Sequence, residues 1–219
     1  MKMEEYADRD MLAMDLANRL VGDLENALLR HEVVSFAVPG GTTPGPIFDV
    51  LAASTLDWSR VRVMATDERW VSEGHSRSNA SMIADRLLTG RAAAATLLPF
   101  YRAGMAEAEG AQAVSEAVAP LLPVSVLLLG MGEDCHVASL FPDAPDLAEA
   151  LADEAPAVVA QHPASQPEAR VSLSAKVLDG ALAKHLVIFG EAKRTALADA
   201  PQDAPVRRVL GDMTVHWAP

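Results

Sequence analysis

What this chain of 219 residues lacks narrows its identity first. It has one cysteine, so no disulfide can form within it, and a lone thiol suits a reducing compartment, with the cytoplasm as the expected location. Basic residues are few beside acidic ones, 18 against 30, for a formal net charge of −12. That balance excludes the broad basic field which nucleic acid or an anionic membrane needs, and any anionic ligand must find a locally basic pocket. No apolar run approaches the ~18 residues that cross a bilayer. The opening MKMEEYADRD is acidic and polar, without the apolar core of a secretory signal. No repeat and no low-complexity linker appears, so residues 1–219 are expected to form a single domain.

Half of the residues are hydrophobic, enough for a substantial core. Leu12, Leu16, Leu20, Leu24 and Leu28 recur every four residues between Asp10 and Arg30, an apolar stripe on one helix. VVSFAV (33–38) is a short β-rich run that stops at Pro39-Gly40-Gly41, a buried strand and its turn. A helix is expected to begin near Thr43 to Pro46 with threonine as its cap. The alternation continues with strands at 61–65, 124–129, 155–161, 186–189 and 213–217, the last at an edge. Helices are expected over 78–88, 105–119, 174–183 and from Gly190 onward, and 161–169 reads as an exposed loop. Such alternation predicts an α/β protein with a mostly parallel sheet covered on both faces.

Ligands of open parallel sheets bind beyond the carboxyl ends of the strands. Four strands here end in unusual clusters, at 39–43, 66–69, 130–136 and 190–194. Gly40 and Gly41 let several backbone N–H groups point at one spot, Thr42 and Thr43 add hydroxyls, and the following helix adds its positive end, so a phosphate fits. The plainer alternative is an ordinary turn with a threonine cap. A nucleoside-triphosphate loop is excluded, because Pro46 stands where its lysine belongs. GEAKR puts two cations at a helix start, where the macrodipole disfavours them unless an anion shares the site. Lys193 is the expected phosphate partner and Arg194 a second candidate, with solvated surface the alternative for one of them. In TDERW, alternation lets Asp67 and Arg69 share a direction and leaves Glu68 to a local ion pair.

GMGEDCH sets the lone cysteine beside a histidine. A zinc site would need further ligands at regular spacing, and His31, His75, His162, His185 and His216 are isolated. Neighbouring side chains in an extended segment diverge, which weakens a Cys135–His136 nucleophilic pair. Asp134 and His136, two apart, can face the same way, and a carboxylate that orients an imidazole makes a general base. The alternative is a hydrogen-bonded structural histidine.

VPGGTTP (38–44), TDERWVSEGHSRSNASMI (66–83), GMGEDCHVASLFP (130–142), RVSLSAKVLDGA (170–181) and GEAKRTAL (190–197) resemble, in order and spacing, the 6-phosphogluconolactonase family. The resemblance covers nearly the whole chain. It implies a three-layer α/β/α fold like that of glucosamine-6-phosphate deaminases and ribose-5-phosphate isomerases. It also implies hydrolysis of 6-phospho-D-glucono-1,5-lactone to 6-phosphogluconate, in the oxidative pentose phosphate pathway, with no metal and no cofactor. The family's catalytic histidine falls on His136, the aspartate before it on Asp134, the motif arginine on Arg69, the phosphate loop on Gly40 to Thr43 and the late lysine on Lys193. The implied partner is a small sugar-phosphate lactone, not nucleic acid or membrane, and the chain is expected to be a monomer or weak homo-oligomer. Three positions depart from the family pattern: Pro39 for a common serine, Cys135 for glycine and Val137 for threonine. If that glycine takes a positive φ, Cys135 carries ~1–3 kcal/mol of strain. Two rivals remain on the same scaffold. One is an amino-sugar-phosphate deaminase or isomerase, although ASLFPD stands where the deaminases have asparagine-glutamate-proline. The other is a non-catalytic sugar-phosphate-binding module.

Overall fold

Strands buried on both faces divide their apolar side chains between two cores. The computed structural model describes residues 1–219. Its strands, in chain order, are β1 (Lys2–Glu5), β2 (Val34–Val38), β3 (Val61–Ala65), β4 (Asp67–Arg69), β5 (Thr96–Leu98), β6 (Val126–Gly130), β7 (Val158–Gln161), β8 (Arg170–Leu173), β9 (Ala183–Phe189) and β10 (Thr214–Ala218). Its helices are α1 (Arg9–Leu28), α2 (Gly45–Ala53), α3 (Asn79–Arg86), α4 (Glu107–Val118), α5 (Leu147–Leu151), α6 (Ala175–Asp179) and α7 (Glu191–Ala198).

Seven strands lie in the order β1-β10-β9-β6-β2-β3-β5, all parallel. Phe36, Val63, Leu128 and Val187 join one core with Leu12, Leu16 and Leu20 of α1 and Ile47 and Phe48 of α2. Their sequence neighbours Ala37, Met64, Leu127, Leu129 and Leu186 join the other, with Val114 and Val118 of α4 and Leu197 of α7. Each fully buried leucine of α1 contributes ~1.5–3 kcal/mol by leaving water. This is the three-layer α/β/α architecture with a mostly parallel sheet.

The structure differs from expectation at short or polar elements. β10 is not the edge strand, because β1 pairs outside it from Lys2↔Thr214 to Glu5↔Trp217. A second, antiparallel sheet, β4-β8-β7, carries Asp67 to Arg69 beyond the end of β3. α2 begins after Pro44 with no side-chain cap, so neither threonine does the capping. Residues 174–183 hold only the five-residue α6 before β9 begins.

A chain of polar side chains ties the amino-terminal segment to the sheet. Asp23 Oδ2 lies 2.8 Å from His185 Nε2, His185 Nδ1 lies 3.0 Å from His216 Nε2, and His216 Nδ1 lies 3.0 Å from the Tyr6 hydroxyl. That hydroxyl donates to Asp15 Oδ2 at 2.6 Å. The two histidines, isolated in sequence, meet because β9 and β10 are neighbours. Burial, reinforced by the His185 charge, pulls His216 down to about 4, with Glu4 and Asp15 opposing and Arg19 assisting. An unfolded histidine takes up a proton near ~6.5, whereas the folded one resists until about 4. Protonation therefore favours unfolding: the stability is complete above the unfolded pKa and is lost as pH falls toward the folded one. The loss is about 3 kcal/mol. Urea denaturation from about pH 7 to pH 4.5 is expected to show this loss, and His216→Gln to flatten the curve. Parallel curves for the two proteins would exclude His216 as the source.

Candidate active site

The carboxyl ends of β2, β6 and β9, with the β3–β4 junction, open onto one rim, and a cavity of about 330 Å³ lies there. Gly40, Gly41, Thr43, Asp67, Arg69, His136 and Lys193 are on its wall. Thr42 is in the same loop but off the wall, and Asp134 stands behind His136. Arg194 is a correction. A helix turns about 100° per residue, so the side chain after Lys193 faces elsewhere: its guanidinium lies 4.4 Å from the Trp217 ring centre and pairs with Glu5 at 2.5 Å.

His136 is clamped. Its Nδ1 lies 2.6 Å from Asp134 Oδ1, and its backbone N–H donates to the same oxygen at 3.2 Å. The carboxylate assigns the proton to Nδ1 and leaves Nε2 free to accept one. Phe141 stacks on the imidazole at 4.0 Å between ring centres. Gly132 lies beneath, where a Cβ would come within 2.2 Å of Nδ1 and 2.5 Å of Asp134 Oδ1. Burial raises the Asp134 carboxyl, but the His136 hydrogen bond and charge outweigh it and hold the group below the usual carboxylate range.

Cys135 has a φ of 66°, the left-handed region that favours glycine. Its side chain is turned into the core, with Sγ 3.3 Å from the Ala196 carbonyl oxygen. Burial, with the Asp134 charge, pushes the thiol up. A buried thiol kept in its protonated form is a poor nucleophile, and the Cys135–His136 pair is set aside.

Asp67 uses both oxygens inside the protein, accepting from Ser139 Oγ at 2.5 Å and from Thr66 Oγ1 at 3.1 Å. Glu68 is a second correction: it makes no ion pair. Alternation sends it inward to the start of α3, where it accepts from the amides of Arg69 (2.8 Å), Asn79 (2.7 Å) and Ala80 (2.8 Å) and from Ser78 Oγ (3.0 Å). Burial raises its carboxyl, and the hydrogen bonds pull against that shift.

Sequence reasoning missed Arg170 and Gln166, both on the wall. Arg170 is the cross-strand partner of Arg69, and its Nη2 donates to Gln166 Oε1 at 2.6 Å. The loop read as exposed surface therefore contributes a wall residue. The available signal was the arginine that opens RVSL, in a run otherwise apolar or small. Three cations, Arg69, Arg170 and Lys193, thus face a cavity with one carboxylate on its wall, Asp67. No three His, Cys, Asp or Glu side chains are grouped to hold a metal ion. The arrangement can hold an anion beside an oriented imidazole.

A family model described as glucosamine-6-phosphate isomerases/6-phosphogluconolactonase matches residues 7–217. The chain belongs to that family. A relative named 6-phosphogluconolactonase from Mesorhizobium japonicum is 39% identical over 226 residues, covering 98% of this chain and 94% of that one. Another of that name, from Pseudomonas aeruginosa, is 37% identical over 94% of this chain and 90% of its own length. The crystal structure of a 6-phosphogluconolactonase from Shewanella baltica matches with a TM-score of 0.94 and 29% identity, over 100% of this chain and 98% of that one.

The left-handed φ of Cys135 is a conformation that suits glycine, the residue the resemblance leads one to expect there. Glycine there relieves the left-handed strain but loses a buried side chain, whereas alanine keeps the strain and loses the sulfur. Cys135→Gly is expected to be more stable than Cys135→Ala by about 1 kcal/mol, against the usual order of the two residues. Urea denaturation of both variants measures it. An alanine variant more stable than the glycine one, in the usual order, would show that φ 66° carries no cost here.

Proposed function

We propose that this chain hydrolyses 6-phospho-D-glucono-1,5-lactone to 6-phospho-D-gluconate, the ring-opening step of the oxidative pentose phosphate pathway. It does so in the cytoplasm, as one domain over residues 1–219, and the steps below use the chain's own side chains and backbone amides with water. The observation that carries this reading is the shared cavity of His136, the Gly40–Gly41 turn and Lys193. The names of the relatives support the choice of substrate. The opposed Arg69 and Arg170 support an anionic ligand.

Nε2 of His136 takes a proton from water as the water oxygen attacks the lactone carbonyl carbon. Asp134 holds the ring and stabilises the imidazolium that forms. Arg69, or a backbone N–H, stabilises the tetrahedral oxyanion. The intermediate collapses by breaking the bond from that carbon to the ring oxygen, which receives the proton from His136. The loop at 40–43 and Lys193 hold the phosphate at the far end, so its binding energy places the reacting carbonyl. Each chain carries every group these steps use, so a monomer or weak homo-oligomer suffices.

General-base action is worth ~10²–10⁴-fold. With lactone generated enzymatically in the assay, the wild type is expected to exceed spontaneous hydrolysis. His136→Ala should lower kcat by that factor while 6-phosphogluconate binds nearly as before. A wild type no faster than buffer defeats the reading, and release of ammonia from glucosamine 6-phosphate would transfer the site to the deaminase rival.

A further inference from the structure

Glu68 lies between two wall residues and is itself off the wall, yet it is 1% exposed and accepts four hydrogen bonds. Three of the four partners are backbone N–H groups, which only donate, so the pocket suits an ionised carboxylate; a protonated one could turn its O–H only to the Ser78 hydroxyl. Three of those donors come from Ser78, Asn79 and Ala80, where α3 starts, and a carboxylate is favoured at a helix start. The fourth is the amide of Arg69.

Asn79 carries this anchoring into the cavity. Its amide N–H binds Glu68, its Nδ2 donates to the Asp67 carbonyl at 2.7 Å, and its Oδ1 accepts from Nη1 of Arg69. It also abuts the glycine loop, since a Cβ on Gly40 would fall 1.9 Å from Oδ1. Arg69 has little else to hold it: Nη1 reaches the Arg77 carbonyl at 3.2 Å, and the buried Nε has no partner.

We infer that Glu68 is a positioning residue, which fixes Asn79 and through it the Arg69 guanidinium beside the glycine loop. The inference rests on the lactonase reading of the cavity. A carboxylate that served only as a helix cap would stabilise the fold without regard to Arg69. One that acts through Arg69 loses its effect on turnover once that arginine is gone.

A double-mutant cycle separates the two roles. The wild type, Glu68→Gln, Arg69→Met and the double variant are compared for kcat and KM with the lactone, for 6-phosphogluconate affinity by calorimetry, and for Tm. Glu68→Gln keeps the shape but turns an amide toward donors. It is expected to lower kcat/KM roughly 10- to 100-fold with Arg69 present and less than about twofold in the Arg69→Met background, a coupling typical of one hydrogen-bond network. The Tm loss should be alike in both backgrounds. Equal fold-changes in the two backgrounds, or none in either, overturn the inference. A wild type that binds 6-phosphogluconate without opening the lactone defeats the functional reading instead, and the affinities still report the coupling. Should Glu68→Gln fail to fold, Asn79→Ala replaces it. That change leaves the amides of 79 and 80 on Glu68 and removes the side-chain links to Arg69 and to the Asp67 carbonyl, so additive effects with Arg69→Met there overturn the inference equally.

Discussion

Arg69 and Arg170 are directly opposed across β4 and β8, and both are on the cavity wall. Like charges in that register repel one another. Burial lowers Arg170, Asp67 opposes the shift and Arg69 adds to it. The Nε of each arginine is buried without a partner. Much of the surrounding structure offsets this repulsion: Asn79 holds one guanidinium, Gln166 the other, and Asp67 supplies the nearby negative charge. An anionic ligand completes the arrangement. Such local conflict is tolerated where function repays it.

The basic cavity belongs to a chain of net charge −12. At long range that exterior repels a sugar phosphate. Attraction is confined to about one Debye length from the three cations, ~8 Å at physiological salt. Affinity must then come from short contacts, the loop amides and the fixed cations, more than from steering. On the proposed reaction the product carries one more negative charge than the lactone once its new carboxyl ionises. The acidic exterior therefore repels the departing product from the mouth more strongly than it hinders the substrate's entry.

The parts of the site legible in the sequence are those fixed by neighbours along the chain. β2 and β6 announce themselves as apolar runs because both faces are buried, and the turns after them follow directly. Asp134 and His136 share a direction because they are two apart in an irregular segment closed by the Met131↔Val137 bridge. Other parts depend on partners that no local pattern reveals. β4, β7 and β8 have only three or four residues each, too few to display alternation, so the Arg69↔Arg170 opposition was hidden. Alternation did separate Glu68 from Asp67 and Arg69, but all its partners except the Arg69 amide lie at Ser78, Asn79 and Ala80, far along the chain. GEAKR makes Lys193 the expected partner and leaves Arg194 a second candidate, and the helix rotation puts only the first on the cavity. β1 has a single apolar residue, Met3, and gains its place from pairing with β10 and from the polar chain at Tyr6.

Cys135 shows how the histidine keeps its aim beside a left-handed residue that is not glycine. A left-handed residue is held there when its surroundings over-determine it. The Cys135 amide donates to the Gly132 carbonyl at 3.1 Å, and its own carbonyl accepts from Val206 at 3.2 Å. Its Sγ rests against the carbonyl of Ala196, three residues past Lys193 on α7. The thiol thereby links the loop that carries His136 to the helix that carries Lys193. Glycine would avoid the strain but leave that contact unmade, and the two ends of the cavity would lose a direct tie.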